Sequence, residues 1–251
     1  MESYQDINAQ TIDRWVSEGW EWGMPVDHET FVRAERGTWD VQLTPTKLVP
    51  KAWFGELSNK DVLGLACGGG QQGPLFVAAG ARVTILDNAE TQLSSERLVA
   101  DREGYDATIV RADMTKPLPF EDESFDIVFN PVSICYIREV RPLWREVARV
   151  LRPGGVLLTG FDTIINFLVD EEEERIVWPM PFDPLTQSET RAFLQKDDGG
   201  MQFSHDLGET LGGLLEAGLV IEDLYEDTNG EGRLHEMGVP TYLAVRASKR
   251  A

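Results

Sequence analysis

Histidine, cysteine and positive charge are all scarce in this chain of 251 residues. The three histidines, His28, His205 and His235, stand far apart with none of the spacings that a zinc or iron site needs, so no metal is expected. Two cysteines, Cys67 and Cys135, are too few for a disulfide framework or a cysteine-rich zinc site, and they fit a reducing compartment. Lys and Arg number 23 against 43 Asp and Glu, a formal net charge of −20. No basic stripe is visible that could neutralise a phosphate backbone, so nucleic acid is not expected as a partner. No apolar run approaches the length of a membrane span, and the polar, acidic opening MESYQDINAQ lacks the pattern of a secretory signal. These absences predict a cytoplasmic protein, without membrane insertion, whose partner is a small molecule.

What is present is concentrated between Asp61 and Asp87. Val62 to Leu65 is a short apolar run of the kind a buried parallel strand uses. The loop Cys67-Gly68-Gly69-Gly70 follows, where glycine permits positive φ and close approach of backbone to a ligand. Gln71 to Ala79 suits a helix packed on a sheet, with Pro74 tolerated in its first turn and Gly80 ending it. Val83 to Leu86 returns as a second strand and Asp87 closes it, at the strand end where open α/β sheets bind ligands. An acid there, roughly 20 residues beyond the first loop glycine, can accept hydrogen bonds from both hydroxyls of a ribose. Two cofactor classes fit these residues. Gly68 to Gly73 spells the G-x-G-x-x-G of dinucleotide-binding proteins, and S-adenosylmethionine also presents ribose and adenine.

The rest of the chain alternates helix and strand. Glu90 to Gly104 is predicted as a helix with Leu93, Leu98 and Val99 inward, and Ala107 to Val110 as a third strand. That strand runs into Ala112-Asp113-Met114, where Asp113 offers an acceptor for an adenine amino group and Met114 an apolar wall. Ile127 to Phe129 is a fourth strand, placing Asn130, Pro131 and Tyr136 at its carboxyl end, and Arg141 to Leu151 is a helix stopped by Arg152-Pro153-Gly154-Gly155. VLLTGF is a fifth strand, Glu209 to Ala217 a helix, and Leu219 to Glu226 and Thr241 to Arg246 the last strands. The fold class is therefore α/β, a mostly parallel sheet with right-handed crossovers and helices on both faces. One domain over residues 1–251 divides into an N-terminal helical lid (1–55), a cofactor-binding core (56–161), a substrate-side insertion (162–205) and a C-terminal helix with strands (206–251). Five of the seven tryptophans precede the glycine loop, and such rings can cover a ligand.

Four separated stretches carry a family resemblance: VLGLACGGG, VTILDNAETQL, ADMTKPLPFEDESFDIVF and VARVLRPGGVLLTGF. Over Asp61 to Phe161 the chain resembles the class I S-adenosylmethionine-dependent methyltransferases, within the broad group that includes the quinone-biosynthesis methyltransferases. The last two stretches choose against a dinucleotide enzyme. The resemblance implies a Rossmann-like seven-stranded sheet with an antiparallel last strand, S-adenosyl-L-methionine as cofactor, S-adenosyl-L-homocysteine as product, and in-line methyl transfer. It also implies residue roles: Ala66, Cys67, Gly68, Gly69 and Gly70 around the methionine moiety, Asp87 on the ribose, Asn88 and Gln92 near the adenosine, and Ala112, Asp113 and Met114 at adenine. Asn130, Val132 and Tyr136 would lie near the transferable methyl. The chain departs from the family at Gly64, where an acid is usual, and at Ala66, where glycine is usual. Ala66 is accommodated there by a negative φ, since only a positive one penalises its Cβ.

Methyl transfer from a sulfonium is an in-line displacement in which positioning carries much of the catalysis, and an oxygen nucleophile adds the need for a base. His205, Tyr136 and His28 are the candidates for that base, with His235 behind them. Two alternatives remain on the sequence alone: an NAD-dependent oxidoreductase, read literally from the glycines, and a non-catalytic binding protein on a methyltransferase scaffold, suggested by Gly64 and Ala66.

Overall fold

The computed structural model describes residues 2–196 and 198–250. Seven strands, β1 (Asp61–Leu65), β2 (Arg82–Asp87), β3 (Thr108–Arg111), β4 (Phe125–Asn130), β5 (Leu151–Asp162), β6 (Leu219–Asp227) and β7 (Tyr242–Lys249), form one sheet in the order β3-β2-β1-β4-β5-β7-β6. The pairs from β3 through β5 are parallel, and β7 lies antiparallel between β5 and β6. This is the Rossmann-like, seven-stranded arrangement expected. The strand order reverses at β1 and β4, which places a crevice over their carboxyl ends.

The helices are α1 (Tyr4–Ser17), α2 (His28–Glu35), α3 (Gln72–Ala78), α4 (Glu90–Glu103), α5 (Arg141–Val150), α6 (Ile165–Leu168), α7 (Ser188–Lys196), α8 (Leu211–Glu216) and α9 (Gly232–Glu236). One face of the sheet is covered by α5 and α8, where Trp144, Val147 and Leu214 meet Leu157 and Val245. On the other face Phe76 of α3 is fully buried among Trp39, Phe54 and Phe129, with ring centroids 5.1–6.0 Å apart. Burying a ring of that size contributes about 2–3 kcal/mol. The 162–205 segment has a small core of its own, in which Phe167, Phe182 and Leu194 gather on Cys135.

Several boundaries differ from the sequence-based expectation for identifiable reasons. The first helix ends at Ser17, where Gly19 takes φ 92° and the chain continues as a 3-10 turn over Glu21–Gly23. β5 begins at Leu151 and runs through the Pro-Gly-Gly, since Leu151 pairs with Phe125 before a register shift leads to Ile127 opposite Val156. On α4 the inward residues are Gln92, Leu93, Glu96, Val99 and Ala100, while Leu98 is 57% exposed. A helical period set by Leu93 and Val99 turns position 96 inward and 98 outward, so an acid lies where leucine was expected. α8 starts at Leu211, two residues late, and the polar run after β6 contains α9.

Residues 41–49 form a strap across the carboxyl edge of the sheet. The Leu43 carbonyl sits so close above Gly160 of β5 that a Cβ at 160 would collide with it. The amides of Thr46 and Lys47 donate to Asp227 Oδ2 at 2.9 and 3.0 Å, tying the strap to β6.

Candidate functional site

The glycine loop leaves β1 with the Ala66 amide still donating to the Leu86 carbonyl at 2.8 Å. Ala66 itself takes φ 48°, against the negative value expected. A left-handed alanine is strained by roughly 1 kcal/mol, so the bend demanded of this position is the one glycine usually serves. The next amides are each assigned to a partner on β2 or α4. Gly68 donates to Asp87 Oδ2 at 3.0 Å, Gly69 to the Gln92 carbonyl at 2.9 Å, and Gly70 to Glu96 Oε1 at 2.7 Å. Asp87 Oδ1 also accepts from the Ala89 amide at 3.0 Å. Gly68 needs to be glycine because a Cβ would lie 2.6 Å from Gln92 Cβ and 3.0 Å from Asp87 Oδ2.

These assignments decide between the two cofactor classes. A dinucleotide pyrophosphate needs free loop amides. Here all three are committed, and the last glycine of the G-x-G-x-x-G, Gly73, faces the Glu96 carboxylate, with a Cβ there lying 2.7 Å from Oε2. The Glu96 carboxyl occupies the amide and the space at that turn that a phosphate would need.

A cavity of about 280 Å³ opens over the carboxyl ends of β1, β2 and β4. Of the sequence-derived candidates it gathers Ala66, Cys67, Gly68, Asp87, Asn88, Gln92, Ala112, Asp113, Met114, Val132 and Tyr136 in its wall. Three candidates lie elsewhere. Gly69 and Gly70 sit behind the wall, and Asn130 is fully buried, its amide donating to Leu65 O and Ser133 Oγ at 2.8 Å while its oxygen accepts from Thr159 at 3.0 Å. Asn130 thus braces β4 against β1 and β5. The opposite wall comes from the N-terminal segment: Gln5, Asn8 and Ile12 of α1, Trp20 and Trp22 of the turn, and the strap. Asn8 fixes α1 by donating to Tyr136 O and Met201 O at 3.0 and 2.9 Å. Gln71 fixes the turn, its amide donating to Glu21 O and Met24 O at 2.7 and 3.1 Å.

Two observations test whether an adenosyl ligand suits these residues. Gln92 lines the cavity, and its Oε1, buried beside Gly69, has no partner among the described residues. Asp87 is 8% exposed and burial pushes its carboxyl up, against the pull of the Ala89 and Gly68 amides. The Asn88 amide acts on it as well, but a carboxylate still has acceptor capacity beyond these amides, and a hydroxyl donor from the cavity would relieve that cost. The residues therefore fit a ribose.

The histidines do not join this wall. His205 is buried with Nε2 donating to Ile134 O and Ile137 O at 3.1 and 2.9 Å, a bond that holds the turn after β4. His28 is exposed and pairs with Glu103 at 2.8 Å, and His235 meets Thr228 at 2.6 Å. Tyr136 does line the cavity, but burial raises its phenol well above the ordinary value, so it is a donor rather than a base. Of the buried acids that the sequence reading did not single out, two matter here. Glu96 has been described; Asp162, at the end of β5, is 8% exposed and lies directly opposite the cavity-lining Tyr242 across the β5–β7 pair. Burial pushes the Asp162 carboxyl up to about 7. Opposite residues of an antiparallel pair share a face, so the register sets this acid beside Tyr242, although it is not itself part of the cavity wall. Among the described residues, none that lines the cavity is Lys, Arg or His.

Comparison with known proteins agrees with this geometry. The family described as "Methyltransferase domain" matches residues 63–159. Over 250 residues the chain is 36% identical to the Bacillus subtilis (strain 168) protein named Uncharacterized methyltransferase YbaJ, covering 96% of this chain and 97% of that one. It is 34% identical over 110 residues to a demethylmenaquinone methyltransferase of Clavibacter sepedonicus, 43% of each chain. A crystal structure of an S-adenosylmethionine-dependent methyltransferase from Mesorhizobium loti shares the fold with a TM-score of 0.64, over 79% of this chain and 95% of its own, at 24% identity.

Proposed function

The chain belongs to the S-adenosylmethionine-dependent methyltransferases, and from that premise we propose which residues hold the cofactor and what kind of acceptor the cavity takes. The observation that carries the assignment is the Asp87 carboxylate, joined to the glycine loop through Gly68 and open to the cavity. Asp87 binds the ribose hydroxyls, Gln92 borders the adenosyl moiety, Asp113 and Met114 flank the adenine, and Ala66 to Gly68 border the methionine end. Bound there, S-adenosylmethionine supplies an electrophilic methyl on a sulfonium and leaves as S-adenosylhomocysteine.

The acceptor is a small molecule without net negative charge, because a cavity wall lacking Lys, Arg and His offers nothing to neutralise an anion. Trp20, Trp22, Val132 and Tyr136 give it apolar and aromatic surface. Tyr136 and Tyr242, both kept protonated by burial, orient it through their hydroxyls. Asp162 lies beside Tyr242 and outside the cavity wall, so it takes the proton of an O–H or N–H nucleophile only by way of that tyrosine. Residues 1–55 act as the lid and 162–205 as the acceptor-side cap. Two free, buried cysteines suit a reducing cytoplasm, and among the described residues no helix is long and apolar enough to cross a membrane.

Calorimetry with S-adenosylhomocysteine and with NAD tests the cofactor assignment; binding of NAD alone would overturn it. Methyl transfer from labelled S-adenosylmethionine into fractions of a metabolite extract tests the acceptor class. Label recovered solely in anionic acceptors would refute the charge argument.

A further inference from the structure

Glu96 is unused by the contacts above. It does not line the cavity, and among the described residues no cation pairs with it. Yet its carboxylate is 1% exposed, with Oε1 on the Gly70 amide at 2.7 Å and Oε2 against Gly73, which admits it by lacking a Cβ. A glutamine could accept the same amide proton without an ionisable group being buried, so the hydrogen bond alone does not account for an acid here. The glycine loop is also short of an acid where its relatives by resemblance carry one. At Gly64 a Cβ would lie 2.6 Å from Ile85 Cδ1 and 3.2 Å from Cys67 Cβ, leaving no room for a carboxylate from β1.

We propose that Glu96 is the positioning residue of the glycine loop, supplied by α4 in place of the acid missing at Gly64, and that it releases its proton when a cationic sulfonium ligand occupies the adjoining cavity. This rests on the cavity being the S-adenosylmethionine site. Burial pushes the Glu96 carboxyl up to about 8 and the neighbouring Asp87 adds to the effect, so it holds its proton near neutral pH. A positive charge arriving beside it favours the ionised form. The titratable groups that act with it are Asp87 at the end of β2, Cys67 in the loop and Tyr105 after α4. Asp13 of α1 acts on Asp87, and α3 carries no charged residue. The cations of α4 are engaged elsewhere, Arg97 with Glu90 and Arg102 with Glu103, as is Arg111 of β3, which lies 3.9 Å from Glu90.

The experiment is titration calorimetry of the full chain with S-adenosylmethionine and with S-adenosylhomocysteine, which lacks the sulfonium charge, in buffers of different ionisation enthalpy between pH 6.5 and 9. The wild type releases more protons with the sulfonium ligand, and its affinity ratio for the two ligands rises about fivefold across the range, the size of a partly screened unit-charge interaction. Glu96→Gln abolishes both effects while still binding S-adenosylhomocysteine. Equal proton release for the two ligands in the wild type refutes the proposal without any variant, as does an unchanged excess in Glu96→Gln. Failure of the wild type to bind either ligand refutes the cofactor site itself, a separate outcome.

Discussion

Replacing Asp87 by alanine strikes the residue on which the cofactor assignment rests, and the structure sets the size of the effect. The carboxylate accepts the Gly68 and Ala89 amides at 3.0 Å each, the Asn88 amide acts on it too, and it has acceptor capacity left for the cavity. Loss of a charge-assisted hydrogen bond to a ligand costs about 1.5–3 kcal/mol, so the dissociation constant for S-adenosylhomocysteine rises about 12- to 160-fold. Stability responds differently. Two amides lose their acceptor, at about 1–3 kcal/mol each if they stay dry, but a carboxyl whose ionisation burial opposes is removed as well. The two effects partly cancel, so the variant stays folded and the loss shows in binding. Asp87→Asn sharpens the test, because its NH₂ must face one of two backbone donors, and it should bind nearly as poorly as alanine. Calorimetry reports the affinity and urea unfolding the stability. A natively folded Asp87→Ala protein that binds within threefold of wild type would falsify the assignment, since no other carboxylate joins the glycine loop to the cavity wall among the described residues.

Asp162 makes a pH-dependent prediction. Its folded carboxyl is pushed up to about 7 from an ordinary value of 3.8, so the folded state binds the proton more tightly than the unfolded one. Its contribution is present below about pH 4 and is lost as the pH rises through 7, by up to about 4 kcal/mol. Asp162→Asn should therefore match wild type in urea unfolding at pH 4 and exceed it at pH 8; parallel curves would refute the burial argument. Ala66→Gly relieves a positive φ and should hold or raise stability by about 0.5–1 kcal/mol without weakening S-adenosylhomocysteine binding. Destabilisation would mean that its Cβ packing outweighs the strain. His205→Ala should lower stability by about 1–3 kcal/mol through the orphaned Ile134 and Ile137 carbonyls and leave ligand affinity unchanged. A tenfold loss of affinity at constant stability would place this histidine in the site after all.

The sheet was legible because its central strands have apolar middles and its turns carry glycine and proline. Val62 to Leu65 and Ile127 to Phe129 read as buried on both faces, and they are. Asp87 was legible for a related reason: an acid closing such a strand has few places to go. Glu96 was hidden because a glutamate within a charged helix reads as solvated, and choosing Leu98 as inward misassigned the helix face by two positions. Asp162 was hidden differently. Periodicity fails just beyond it, and its meaning comes from Tyr242, eighty residues later, through a strand pairing that local pattern does not reveal. Asn130 was placed by position at the crevice, but three hydrogen bonds turn it into the sheet. Position along a strand predicts proximity, whereas side-chain direction depends on which partners are in reach.

The seat that Gly160 provides for the Leu43 carbonyl constrains how the binding chamber admits its guests. With that carbonyl wedged against β5 and the next amides latched to Asp227, the strap behaves as a fixed doorpost. Any swing of α1 and the tryptophan turn ahead of Gln42 must first break the Asn8 and Gln71 hydrogen bonds that hold them, while the post stays still. Side chains on the post therefore measure each acceptor against a rigid edge.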